Sequence, residues 1–184
     1  MGTEKPLVAI GGRTLIARVA EAIAPCLEEL VIVTNRPDLY GFLGHRMLED
    51  AYVGQGPLAG MHAGLTQLGC AAALVVACDY PFLDARSIAR IARENPAGGA
   101  VIPEIEGHLH PLCALYAAEV LPEITSCLST GVLAVHALLD RIPQKILAQT
   151  ELGGPAAART FFNINSPDDL RRAEELLAET QSHG

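Results

Sequence analysis

A chain of 184 residues, half of them apolar, has enough material for one folded domain with a sizeable core. Its net charge of −8 and pI of about 5.2 argue against a general nucleic-acid or anionic-membrane binder, which would want a basic face. They leave room for a nucleotide substrate, whose phosphates need only a local cation.

The aromatic content is low (4 Phe, 4 Tyr, no Trp), so the core is aliphatic, as in parallel sheets. The cysteines at 26, 70, 78, 113 and 127 are odd in number and include no Cys-x-x-Cys pair. That pattern argues against a disulfide framework or zinc site and points to a reducing compartment, the cytoplasm. The longest apolar run, 70–78, is too short to span a bilayer, and the first residues lack a signal-peptide core.

In chain order, residues 1–5 are polar and 7–10 read as a small strand turning at Gly11-Gly12. Thr14 caps a helix with Leu15, Val19 and Ile23 at helical spacing, ended by Pro25. Residues 30–34 read as a buried strand, and 47–48 as a short edge strand leading to Glu49-Asp50. The glycine-rich segment 54–60 opens a helix to about Leu68, followed by a buried strand over 74–77 that ends at Cys78-Asp79. Asp84 starts a helix to Arg93; strands follow over 100–103 and 112–116, and helices over 120–128 and 132–139. Residues 145–147 and 161–164 read as strands flanking a loop at 153–158. Ser166, Pro167 and Asp169 form a capped start for a last helix to about Thr180. Strands alternating with helices predict an α/β, Rossmann-like fold: one domain over 1–184, its sheet mostly parallel with helices on both faces.

Ligands in open α/β sheets bind beyond the carboxyl ends of the strands, which is where Asp79 falls. A carboxylate there can hold a divalent metal, act as a base or cap the next helix. Gly56-Pro57-Leu58-Ala59-Gly60 offers close backbone approach and free helix-start amides, or is an ordinary turn. Asn35 and Asp50 each follow a predicted strand, where they could read a base or ribose edge or simply form turns. Lys5 could hold phosphates or be solvated. His108 and His110 share a face if extended, without an evident third metal ligand, and Asn163 and Asn165 flank Ile164 on one side of a strand end.

Together these pieces resemble the molybdenum cofactor guanylyltransferases of the nucleotidyltransferase superfamily. The resemblance rests on Met1-Gly2-x-x-Lys5-Pro6, Gly12-x-x-Leu15, Val33-Thr34-Asn35-Arg36, Glu49-Asp50, Gly56-Pro57-Leu58-Ala59-Gly60, Cys78-Asp79-x-Pro81, His110-Pro111 and Phe162-Asn163-Ile164-Asn165-x-Pro167-x-Asp169-Leu170, all in the expected order. It implies transfer of GMP from GTP to the phosphate of molybdopterin, with release of pyrophosphate. Asp79 is then the Mg²⁺ ligand and Lys5 the phosphate-neutralising cation. Asn35, Asp50 and Gly56 to Gly60 (Gly56, Pro57, Leu58, Ala59, Gly60) contact the nucleotide, and His110, Asn163 and Asn165 face the pterin acceptor. Molybdoenzymes or their chaperones are the implied protein partners, with no nucleic acid and no membrane.

Family members place a strand and a Leu-Ala-Gly-Gly-x-x-x-Arg phosphate loop ahead of Met-Gly-x-x-Lys, and both are missing from this chain. Burying three or four aliphatic side chains of such a strand would contribute roughly 1.5–3 kcal/mol each, against a net domain stability of about 5–15 kcal/mol. The expectation is that Met1 is an internal methionine of a longer product. Two further readings stand beside the main one: a related transferase using CTP or another acceptor, and an inactive truncated binding module.

Overall fold

The structure, a computed structural model, describes residues 4–181. Met1-Gly2-Thr3 of the lysine motif and the polar tail after Gln181 lie outside the described residues. The described residues open on a 3₁₀ turn, Lys5–Leu7, which takes the place of the first half of the strand expected at 7–10. Strand β1 (Ala9–Ile10) pairs with β2 (Arg13–Thr14) in a hairpin closed by Gly11 and Gly12, both at positive φ. Helix α1 (Leu15–Ile23) follows, with the Thr14 hydroxyl accepting from Ala17 N at 3.4 Å, and Pro25 ends it in a 3₁₀ turn.

Strand β3 (Val31–Val33) leads through the one-turn α2 (Pro37–Tyr40) to β4 (Arg46–Leu48), which pairs with β3 in parallel. Helix α3 (Gly56–Leu68) then leads to β5 (Ala72–Val76) and α4 (Ala85–Ala92). Strands β6 (Ala100–Ile105), β7 (His108–Leu109) and β8 (Cys113–Ala117) come next, then helices α5 (Leu121–Ser129) and α6 (Val135–Leu139). Strand β9 (Gln144–Ala148), the one-turn α7 (Ala157–Thr160) and α8 (Pro167–Gln181) complete the chain. The strand expected over 161–164 is absent. Those residues leave α7 as irregular backbone, because Phe161 and Phe162 donate their amides back into the α7 turn.

The α/β class is as expected, but the ladder is mixed. In the five-stranded sheet β8 lies between β5 and β6, antiparallel to both, β7 is antiparallel to β6, and β9 is parallel to β6. Side-chain alternation makes this a two-faced core. Ala100, Ile102, Ala114 and Tyr116 point to one face, toward α3, α5 and α6. Val101, Ile105, Cys113, Leu115 and Leu147 point to the other, toward α1 and α4. Gly99 is required where β6 meets the segment before β9: a Cβ there would sit 2.0 Å from the Pro143 carbonyl oxygen.

Strands β3 and β4 form a separate two-stranded ladder that no hydrogen bond joins to β5. Every residue of β8 is buried, whereas every residue of β3 and β5 is only half-buried. A cavity of about 390 Å³ separates the two edges. Its walls include the consecutive residues 30–34 and 73–78, with α1 on one side and α3 on the other.

Candidate active site

The short strands and the turns that follow them bring several of the candidate residues to one end of the sheet. Beyond β5, the backbone continues to Asp79 and is fixed there by Ile164 N, which donates to the Asp79 carbonyl at 2.9 Å. The Asp79 side chain meets Lys5, with Nζ 2.8 Å from Oδ2, and the same ammonium donates to Asn165 Oδ1 at 3.2 Å. The lysine side chain is 42% exposed and the carboxylate 16%, so the pair sits in a partly desolvated cleft. The other carboxylate oxygen, Oδ1, is buried and has no hydrogen-bond partner among the described residues. Unpartnered buried oxygens are uncommon and ask for an explanation.

Asn165 is held by the helix cap that the sequence announces. Asp169 Oδ2 accepts from Asn165 N at 2.9 Å, Ser166 N at 2.8 Å and the Ser166 hydroxyl at 2.8 Å, while Asp169 N donates to Ser166 Oγ at 3.1 Å. Those bonds, the one from Asn165 N first, hold the Asp169 carboxyl below its ordinary range. Asp169 thereby positions the Asn165–Lys5 contact without reaching Lys5 itself by a hydrogen bond.

Beyond β3, Asn35 Oδ1 accepts from Asp50 N at 2.9 Å, and Asp50 Oδ1 accepts from Tyr52 N at 2.7 Å. Two predicted nucleotide contacts are thus joined to each other and lead into the Gly56 turn. Gly56 has φ +70° and opens α3. Gly56 and Pro57 are exposed, whereas the Leu58 and Ala59 side chains are fully buried in the core. Both residues are fully buried, backbone included, so only Gly56, Pro57 and Gly60 of this segment present surface to a ligand.

Glu4, which the sequence reading did not single out, connects the two halves. Its carboxylate accepts from Arg36 Nη1 at 3.3 Å and from the Tyr40 hydroxyl at 3.1 Å. Burial and then the Glu4 carboxylate push the Tyr40 phenol up to about 12. Glu4 and Lys5 are adjacent in sequence, so the segments following β3 and β5 open on the same side of the cavity. No sequence motif marks Glu4; only its neighbour Lys5 gives a hint.

His110 has Nδ1 3.2 Å from the Tyr80 hydroxyl and its ring against Phe161. Burial first, then nearby His108, holds its pKa below 6.5. His108 is exposed, and no group of three or more His, Cys, Asp or Glu side chains able to hold a metal occurs among the described residues. Asn163 is half-buried on the irregular segment preceding α8. Cys78 is pushed up to about 11 by burial and the adjacent Asp79, which makes it a poor nucleophile.

The fold is that of the α/β nucleotidyltransferases. The chain superposes on the 2-C-methyl-D-erythritol 4-phosphate cytidylyltransferase of Thermus thermophilus with a TM-score of 0.70 at 20% identity, over 95% of this chain and 94% of that one. That likeness concerns the fold alone. Residues 1–146 match the MobA-like NTP transferase domain, and the chain belongs to that family.

It is 33% identical to the probable molybdenum cofactor guanylyltransferase of Pelotomaculum thermopropionicum, over 100% of this chain and 90% of the relative. It is 35% identical to the molybdenum cofactor guanylyltransferase of Cereibacter sphaeroides, over 96% and 89%. Molybdopterin-guanine dinucleotide biosynthesis protein A of Archaeoglobus fulgidus matches with a TM-score of 0.82 at 29% identity, covering 97% of this chain and 92% of that one.

Proposed function

We infer that this protein is a molybdenum cofactor guanylyltransferase. An oxygen of the molybdopterin phosphate attacks the α-phosphorus of GTP. The bond from that phosphorus to the β-bridging oxygen breaks, and pyrophosphate leaves. Such a displacement needs alignment and charge neutralisation more than a covalent nucleophile.

One arrangement in the fold carries the reading: the Lys5–Asp79 pair at the carboxyl end of β5, with a buried carboxylate oxygen left over. It lies in a chain whose relatives over nearly its whole length bear that name. A single carboxylate with one oxygen left over suits Mg²⁺, which takes one or two protein carboxylates and completes its shell with water and phosphate oxygens. Asp79 would hold the ion, and the bound ion would offset charge on the triphosphate. Lys5 neutralises the phosphates, Asn35 and Asp50 bind the nucleoside, and Gly56, Pro57 and Gly60 at the start of α3 offer it their exposed surface. His110, Asn163 and Asn165 orient the acceptor.

Comparing GTP, CTP and ATP binding in the presence of Mg²⁺, and following label from α-labelled GTP into molybdopterin, tests this. A preference for CTP would replace the guanylyl assignment with a cytidylyl one. A protein that binds GTP but transfers nothing would remove the enzyme reading.

A further inference from the structure

Tyr80 directly follows Asp79 and is buried, with 4% of its surface exposed. Its hydroxyl lies 3.2 Å from His110 Nδ1 and has no other hydrogen-bond partner among the described residues. A phenol at neutral pH keeps its hydrogen, and a neutral imidazole has one donor nitrogen and one acceptor nitrogen. The direction of this one bond therefore decides which ring nitrogen of His110 carries hydrogen. If Nδ1 donated to the phenol oxygen, the phenol hydrogen would be buried with no acceptor, which is costly. If the phenol donates, Nδ1 accepts, and the buried hydroxyl is satisfied. The ring hydrogen is then on Nε2. The ring itself is fixed: Phe161 lies 5.3 Å away, centroid to centroid. His110 N donates to the Pro103 carbonyl at 2.9 Å, and the His110 carbonyl accepts from Cys113 N at 3.0 Å.

The second ring nitrogen is open. Nε2 makes no hydrogen bond among the described residues, yet it is not one of their buried unpartnered atoms, so it reaches solvent. It stands at the end of the sheet that carries Asp79, because Val76, the last residue of β5, pairs with Cys113, three residues after His110. We propose that Tyr80 is a positioning residue: its hydroxyl fixes His110 as an Nε2–H donor, and that donor bonds an oxygen of the acceptor. The proposal rests on the acceptor role given to His110 above. It also sets what His110 does there. Both nitrogens are committed, Nδ1 to the phenol hydrogen and Nε2 to its own, so the open atom has no lone pair with which to take a proton. His110 binds and orients, and it is not the base that deprotonates the attacking phosphate.

Nitrogen-15 NMR of the His110 ring in the ligand-free protein reads the tautomer directly. The expected spectrum has a protonated Nε2 and an unprotonated Nδ1, and Tyr80→Phe, which keeps the buried ring and removes the hydroxyl, should admit the Nδ1–H form. Equilibrium titration with molybdopterin and, separately, with GTP reads the donor. Tyr80→Phe is expected to weaken molybdopterin binding about tenfold and GTP binding less than about twofold. Two amide variants distinguish the nitrogens, since a Gln amide reaches about as far as Nε2 and an Asn amide about as far as Nδ1. His110→Gln should retain most of the molybdopterin affinity, and His110→Asn should lose about tenfold. Hydrogen found on Nδ1 of the unmodified protein would overturn the proposal, as would equal molybdopterin affinity in the Gln and Asn variants. An unmodified protein that does not bind molybdopterin would overturn the acceptor reading and the donor role with it. The ring spectrum needs no ligand, so it judges the Tyr80–His110 bond separately from that reading.

Discussion

Lys5 Nζ lies 2.8 Å from Asp79 Oδ2, and the two residues are 74 positions apart in the chain. The contact ties the first described turn to the end of β5 and sets a cation beside the Asp79 carboxylate. It also means that each residue is the other's partner before any triphosphate arrives, and a bound metal or phosphate must compete with it.

Replacing Asp79 by Asn removes the negative charge and keeps the shape. Guanylyl transfer should fall by at least about 100-fold, or about 2.7 kcal/mol of transition-state stabilisation. The partly exposed ion pair contributes only about 0–1 kcal/mol to folding, so thermal unfolding should change little. Steady-state kinetics beside calorimetry separates the two effects, and a variant with unchanged kcat/KM would refute the assignment of Asp79.

Lys5→Met should weaken GTP binding about tenfold at low salt and less at high salt, because exposed charges are screened over a Debye length of about 10 Å at 0.1 M. Titration calorimetry at two ionic strengths reads this. Lys5→Arg should recover part of the affinity by restoring the charge.

Asp84 caps α4: Oδ1 accepts from Arg86 N and Ser87 N, both at 2.9 Å, and Oδ2 accepts from the Ser87 and Thr160 hydroxyls at 3.0 and 2.9 Å. Burial alone would raise its pKa, but these bonds outweigh burial and leave it below 3.8. Asp84→Ala should cost about 1–2 kcal/mol of stability. A depressed carboxylate stabilises the fold in full above its unfolded value of about 3.9 and loses that effect as pH falls through the folded value. The gap between wild type and variant in urea unfolding should therefore narrow in acid.

The depressed pKa of His110 gives a second pH signature. Its folded value lies below 6.5, so the unfolded chain takes up the proton first as pH falls. The contribution of neutral His110 to stability is present above pH 6.5 and declines below it until the folded value is reached. An NMR titration of the ring should place its midpoint below 6.5. His110→Phe should flatten stability across that window, and an unchanged slope would show that another group is responsible.

Much of this fold is written in local chemistry. Thr14, Asp84 and Ser166 start their helices where side-chain oxygens can accept amide bonds, and Pro25 ends α1. Pairing direction was not legible: the apolar run at Cys113–Ala117 suits either orientation, and only its place between β5 and β6 makes it antiparallel. The run at 161–164 has strand composition, yet Phe161 and Ile164 satisfy their hydrophobicity by packing beneath α7 and α8 without a ladder. In the site, Asn35, Asp50 and Asp79 share a position after a strand, which periodicity can suggest, whereas Lys5 lies on the turn ahead of β1 and only its motif marks it. The bridging role of Glu4 depends on a reach of 32 and 36 residues to Arg36 and Tyr40, and no local pattern encodes that.

The lone Oδ1 of Asp79 has an energetic consequence of its own. Desolvating a carboxylate oxygen without a partner costs on the order of 1–3 kcal/mol, and the resting protein carries that cost. Whatever donates to or coordinates the oxygen relieves it, so part of the affinity measured for such a guest is released strain. The protein should thus melt later with the guest aboard, and substitution to Asn should diminish that delay more than it alters the empty protein.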